Sequence, residues 1–305
     1  MLSIVLAVLA SAASATAAVL QRKAARSEPR GAVSGPRLLW NLARKPVWIG
    51  GVAAILGGLG LHAAALATGP IILVQPILVL ELGFALLLAA AVFHSRLHAR
   101  EWTAIAGMIA GLVLLLVSLR PSGGEPGQAS APAWVAAIVL TLTTVALFLW
   151  RAHRCPDGHA RRPAYLGVAT GLGFGLTATL IAAVTSVYAD DGLAGVLTAW
   201  QTYMLAVLGP LVFLSLQRTL QAGRLIVSQP AITLANPIVA FGFGIGVFGE
   251  KVRTGGWLVG TLAGVILITT CTVLLARSPL HDGASRSAPD PRSVRDAQSR
   301  SRPPL

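Results

Sequence analysis

Glu81 is the one carboxylate in an apolar run from Pro70 to Phe93, and it stands close to the midpoint of that run. An ionised carboxylate in hydrocarbon is costly, so it must face a cavity, pair with a cation or carry a proton. The chemistry this allows is proton coupling or binding of a cationic solute; the alternative is a protonated Glu making a structural hydrogen bond between helices. Two Gln-Pro pairs, Gln75-Pro76 and Gln229-Pro230, and the pair Asn236-Pro237 fall inside apolar stretches. Proline removes a backbone donor and frees a carbonyl one turn back. A helix opened there offers backbone and amide groups to a polar substrate, or else the Gln caps the freed carbonyl of a fixed kink. Gln201 and Tyr203 lie in a further apolar stretch that contains Pro210, and are candidates to line a cavity. His62 reads as a helix-packing histidine, His94 and His98 as interfacial, and Arg224 as an anchor at a helix end.

These residues do not make an enzyme. No nucleophile–base pair, phosphate-cradling loop or nucleotide-binding motif occurs in the loops, so neither a catalytic residue nor a cofactor is expected. Glu81 with His62 is the sole conceivable catalytic pair, and nothing in the spacing brings them together. Cys155 and Cys271 show no metal-ligand spacing and no disulfide framework, and no metal is assigned.

The elements that position these groups must lie in a bilayer. The 305 residues are 55% hydrophobic and 11% charged, with mean hydropathy +0.73, the profile of a polytopic membrane protein. The net charge of +13 is dispersed among loops and tail between apolar segments, which suits basic loops holding a topology and argues against a nucleic-acid partner. The partners expected are the lipid bilayer and a small-molecule or ion substrate, and a homodimer is compatible with the sequence.

A spanning helix takes roughly 20 apolar residues. Candidate spans are 2–20, 47–67, 70–93, 102–119, 133–150, 164–188, 195–217, 224–248 and 256–276, so the fold class is an all-α membrane helix bundle of about nine transmembrane helices. The first span has no Lys or Arg ahead of it and has Arg22, Lys23 and Arg26 after it, the reverse of a secretory signal, so it reads as a retained helix. The following loop adds Arg30, Arg37, Arg44 and Lys45 and is placed in the cytoplasm. Alternation then puts the N-terminus outside, the C-terminus inside and the chain in the cytoplasmic (plasma) membrane. Residues 277–305, rich in Ser, Pro, Arg and Asp, read as a disordered cytoplasmic tail.

The chain also repeats itself. At an offset of 154, Gly69 matches Gly223, Gln75 matches Gln229, Pro76 matches Pro230 and Leu80 matches Leu234. Near the helix ends the offset becomes 155, pairing Phe93 with Phe248 and Trp102 with Trp257, and there Glu81 faces Asn236. Gly107 and Gly111 in the fourth helix echo Gly260 and Gly264 in the ninth, small residues of the kind that let membrane helices approach closely. The organisation expected is a first half over 1–120, a linker with the fifth helix over 121–163, a second half over 164–276 and the tail. Corresponding helices are five apart, an odd number, so the halves enter the membrane in opposite senses. Such an inverted-topology repeat is a signature of secondary transporters, with the substrate site at the midplane between the halves.

Several motifs carry a family resemblance. Trp48-Ile49-Gly50-Gly51, the run from His62 through Gly69-Pro70 to Gln75-Pro76, and Phe248-Gly249-Glu250-Lys251 ahead of Trp257 and the Gly260/Gly264 helix resemble the drug/metabolite transporter (DMT, EamA-like) superfamily. The layout and the alanine-rich approach to Gly69-Pro70 are nearest the branch of NIPA-type magnesium transporters. The resemblance covers residues 2–276 and implies a permease working by alternating access. Gly57-Gly58 stands where that branch carries a Gly-Glu pair, and Phe93-His94-Ser95-Arg96 stands where the second half has its Phe-Gly-Glu-Lys. These departures make a small metabolite the first expectation for the substrate and a divalent cation the alternative. A non-transporting membrane subunit or scaffold is the rival from another class.

Overall fold

The computed structural model describes residues 1–26, 45–93, 97–124, 126, 129–156, 161–221 and 225–276. In chain order the helices are α1 (Leu2–Arg26), α2 (Pro46–Thr68), α3 (Ile71–Ile77), α4 (Leu80–Val92), α5 (Ala99–Leu119), α6 (Ala131–Arg154), α7 (Arg162–Thr198), α8 (Trp200–Gln221), α9 (Leu225–Gly246) and α10 (Trp257–Ala276). Among the described residues no strand occurs, and Ser122 with Lys251 forms an isolated antiparallel bridge. Seven spans among the described residues are long and apolar enough to cross a membrane: α1, α2, α3 with α4 taken together as Ile71–Val92, α5, α6, α7 and α10. The chain is therefore an integral membrane helix bundle. The two remaining helices fall at the expected seventh and eighth spans. In α8, Gln201, Thr202, Gln217 and Arg218 dilute the apolar character, and in α9 the described apolar stretch is Pro230–Gly246. The expected tail over 277–305, with His94 and Arg224, lies outside the described residues.

Two boundaries differ from those expected. The turn anticipated near residues 189–194 contains a break: Gly192 is non-helical (φ 64, ψ −155), and α7 consists of two helical pieces that meet at that kink before the second ends at Thr198. Glycine adopts that conformation without a side-chain clash, so the axis bends there and the chain reverses later, at Ala199. The span expected over 70–93 is two helices. Pro76 lies inside α3, and backbone bonds from Leu78 N–H to the Gln75 carbonyl, Val79 to Pro76, Glu81 to Leu78 and Leu82 to Val79 tighten the chain between α3 and α4. These are three-residue bonds, the tighter winding that often marks a break in a helix.

Packing follows the small residues. The helix α1 packs on α2 and on α3 and α4; α7 packs on α8, α9 and α6; α5 packs on α10. Along α7, Gly167, Gly171 and Gly175 face α9, where a Cβ on Gly171 would come within 2.5 Å of the Ile232 carbonyl oxygen and one on Gly175 within 2.7 Å of that of Asn236. Between α5 and α10, a Cβ on Gly111 would stand 3.1 Å from the Gly264 carbonyl oxygen and one on Gly264 would stand 2.8 Å from that of Gly111. Gly107 meets Cys271, and Gly260 meets Ser118, so the two helices run antiparallel. Both expected glycine contacts are thus present, and they are made by these two helices on each other. Trp134 of α6 closes one end of the core, edge-on to Trp200 at 5.2 Å and 5.6 Å from each of Phe243 and Phe248.

Candidate functional site

The broken span is the natural place to look, since a helix interrupted in a bilayer must find partners for its freed backbone groups. At its start, Gly69 is extended, and a Cβ there would come within 2.5 Å of the Ser3 side chain on α1, which is why glycine ends α2. At the break, the Ser11 hydroxyl of α1 donates to the Ala7 carbonyl at 2.8 Å and reaches the Ile77 carbonyl at 3.3 Å. At the N-terminus of α3 no local side chain caps the helix; Glu250 does so from the loop after α9. Its Oε1 accepts the Ile71 N–H at 2.6 Å and its Oε2 accepts the Ile72 N–H at 3.0 Å. Two far-separated parts of the chain, α1 and the loop after α9, therefore hold this seven-residue helix.

Gln75 sits on α3 with 1% of its surface exposed. Its amide NH₂ lies 3.1 Å from Nε2 of His62 on α2, and its Oε1 has no hydrogen-bond partner among the described residues. As placed, the NH₂ donates, which requires the Nδ1–H tautomer of His62; with the amide turned over, Nε2–H of His62 would donate instead. As placed, one end of a buried amide is left unfilled. A buried polar group without a partner is costly, and such a group is a natural docking point for a ligand or a water. The same holds for Oδ1 of Asn236 on α9, whose backbone is pressed against Gly175, and for the Thr272 hydroxyl on α10.

Glu81 is in the first turn of α4, ten residues after Ile71 in a 22-residue span. Its side chain is exposed, while Leu82, Gly83 and Leu86 beside it are buried. Among the described residues its carboxylate makes no hydrogen bond or ion pair. Among the described residues His62 contacts Gln75 and makes no bond to Glu81.

The remaining candidates are dispersed. Gln201 lines an apolar cleft of about 440 Å³ with Trp134, Val135, Ile138, Ala183 and Trp200, between the start of α6, the outer part of α7 and the start of α8. Tyr203 is 62% exposed and donates its hydroxyl to the Leu197 carbonyl at 2.6 Å, tying α8 to the end of α7. That acceptor lies on the reversing chain at the end of α7. Pro230 is buried and Pro237 partly buried in α9. The Gln229 side chain lies outside what the structure describes.

Two residues were not singled out from the sequence. Ser11 is one of several small residues on α1 and carries no signal of its own. Glu250 does carry one: it is an acid beside Lys251 and Arg253, in a loop that runs mildly against the charge bias. Burial pushes its carboxyl up to about 7, against the two amide hydrogen bonds, which act to lower it.

The uncharacterized protein Cgl0250/cg0304 of Corynebacterium glutamicum is similar to this chain: the two are 30% identical over 273 residues, which make up 88% of this chain and 92% of the relative. No family model matches the chain. No solved structure matches it.

Proposed function

The chain belongs to the family of the Corynebacterium glutamicum protein, and we propose that it is a secondary transporter of the drug/metabolite transporter kind that moves a small metabolite across the cytoplasmic membrane by alternating access. The observation that carries this reading is Glu81, exposed and unpaired midway along the Ile71–Val92 span. Lipid will not accept a bare carboxylate at that depth, so the group meets water in a cavity, is matched by a cationic group, or carries a proton. A scaffold subunit has no use for such a residue. A permease uses it to couple flux to a gradient.

The helix contacts favour two halves related by an inverted repeat. Gly107 meets Cys271 and Leu267, and Gly260 meets Ser118 and Leu114; Gly111 meets Ile268, and Gly264 meets Leu115. Each contact becomes its partner when the residues are displaced by 153 positions and exchanged: Gly107 to Gly260, Leu114 to Leu267, Leu115 to Ile268, Ser118 to Cys271. A two-fold axis in the membrane plane between α5 and α10 has that consequence. In the same way, the packing of α1 on α2 and on α3 and α4 has its counterpart in α7 on α8 and α9. Halves so related rock about a central site that faces each side in turn.

In this reading Gln75 and Asn236 supply the unfilled hydrogen-bonding ends for the substrate, Glu81 handles the coupling charge, and the prolines keep the helices open. No cofactor and no catalysis is involved. The Gly57-Gly58 and Phe93-His94-Ser95-Arg96 departures favour a small metabolite over magnesium. The N-terminus lies outside and the C-terminus inside. The test is uptake by proteoliposomes across a panel of small metabolites and Mg²⁺, with and without an imposed proton gradient. Gradient-dependent uptake of a metabolite is the result expected; sealed, protein-filled vesicles that take up nothing would favour the scaffold.

A further inference from the structure

Glu250 has no part in the coupling or substrate roles assigned above, yet it is 6% exposed and its carboxylate holds two backbone amides of α3. The loop it belongs to is tied at every step. The Glu250 N–H donates to the Gly244 carbonyl at 2.7 Å. Lys251 and Ser122 exchange both backbone bonds, at 3.0 and 2.9 Å, and the Arg253 N–H donates to the Leu119 carbonyl at 2.9 Å. Gly124 lies so close that a Cβ there would meet the Glu250 side chain. One short loop thus joins the end of α9, the N-terminus of α3 and the end of α5.

A helix is ordinarily capped by a side chain at its own N-cap, for which Ser, Thr, Asp or Asn serves. Here Pro70 occupies that position and offers nothing, so the cap comes from a residue 179 positions away. Such a cap exists only while the two parts of the molecule are together. When the loop leaves, the Ile71 and Ile72 amides lose their cap, and the first turn of the span, which leads to Gln75, is freed to shift.

We infer that the loop Gly249–Arg253 is a latch on one end of the transport pathway, closed in this structure, and that this end opens when Glu250 lets go of the Ile71 and Ile72 amides. Glu250 is a positioning residue: it acts on the substrate through α3 and Gln75. This inference rests on the transport reading for its purpose, though not for its test. The charged groups around Glu250 are few. Neither α3 nor α9 carries any, and Arg120, Lys251 and Arg253 on the adjoining loops make no ion pair with it among the described residues. The grip on α3 is thus held by the two amides alone.

The test uses Ser122→Cys with Lys251→Cys in a chain carrying Cys155→Ser and Cys271→Ala. A pair that exchanges both backbone bonds has Cα atoms about 5.5 Å apart, which suits a disulfide. Oxidation should link most molecules, and failure to link would mean that the closed latch is not as described. Linked protein should lose gradient-driven flux by about tenfold or more and regain it on reduction, as for a lid held shut. Hydrogen exchange over residues 71–77 should be faster in the reduced protein than in the linked one. Equal exchange in the two forms would make the loop a static tether and overturn the latch, whether or not a substrate has been found. Exchange that differs as expected while no compound is transported would leave the latch standing and count against the transport reading alone.

Discussion

The carboxylate of Glu250 accepts the Ile71 amide proton at 2.6 Å, across 179 positions of sequence. No helix-capping pattern in the sequence pairs these residues. The contact matters because Ile71 opens the helix that carries Gln75, so the second half of the chain sets the pose of a candidate substrate group in the first.

That contact has a pH dependence of definite sign. Burial raises the Glu250 carboxyl from 4.5 to about 7. Between those values the folded protein holds a proton that the unfolded chain would release. The stability from this group is therefore fully present below about 4.5 and is lost as pH rises through about 7. The grip on α3 runs the other way, since only the ionised carboxylate has acceptors free for both amides. Flux should therefore show an inflection near pH 7 that Glu250→Gln abolishes, with the latch looser on the acid side. An inflection unchanged in that variant would remove Glu250 from the pH response.

The contact between α5 and α10 makes a packing prediction. Gly111→Leu or Gly264→Leu drives a side chain into the opposing backbone, where even a Cβ is tight. Overpacking of this kind costs about 1–3 kcal/mol or more. Gly57→Leu is the control, since nothing lies within 4 Å of a Cβ there. Thermal unfolding in detergent should show a fall in Tm for the first two variants and little change for the third.

His62 and Gln75 should be energetically coupled. Gln75→Leu strands the imidazole and His62→Leu strands the amide, each at a cost of roughly 1–3 kcal/mol for a buried group without a partner. The double variant removes both ends, so its cost should fall short of the sum by about 1 kcal/mol. Additive effects in a double-mutant cycle would show that the 3.1 Å contact contributes nothing.

The membrane helices were legible in the sequence because apolar runs of bilayer length have few other readings. The glycine contacts were legible as well, since close approach of helix backbones needs small residues. What was hidden depends on tertiary placement. Gly192 reads as a loop residue until its positive φ shows a bend within α7. Tyr203 sits in an apolar stretch, but the reversal at Ala199 gives its hydroxyl an acceptor on the outer surface. Gln75 was legible through its proline, whereas its partner His62 was visible only as a packing histidine, because the break at Gly69-Pro70 decides which face of α2 meets α3. Glu250 was visible as an acid in a basic loop, but its contact was hidden, because it caps a helix it does not belong to.

The charge pattern predicts an external N-terminus and a cytoplasmic C-terminus. A reporter fused after Leu305 should be active only in the cytoplasm, and one fused ahead of Met1 only outside. Both ends on one side would require an even number of crossings and would dissolve the inverted relationship between the halves.

The central claim rests on Glu81, and its most direct test is flux in proteoliposomes with Glu81→Gln. Glutamine keeps the shape and a hydrogen-bonding end but cannot exchange a proton or balance a cation. The transport reading predicts a variant that inserts and unfolds like the wild type, loses flux driven by an imposed proton gradient, and retains exchange of substrate across the membrane. Gradient-driven flux and pH dependence equal to those of the wild type would contradict it, and would leave Glu81 with no part in coupling.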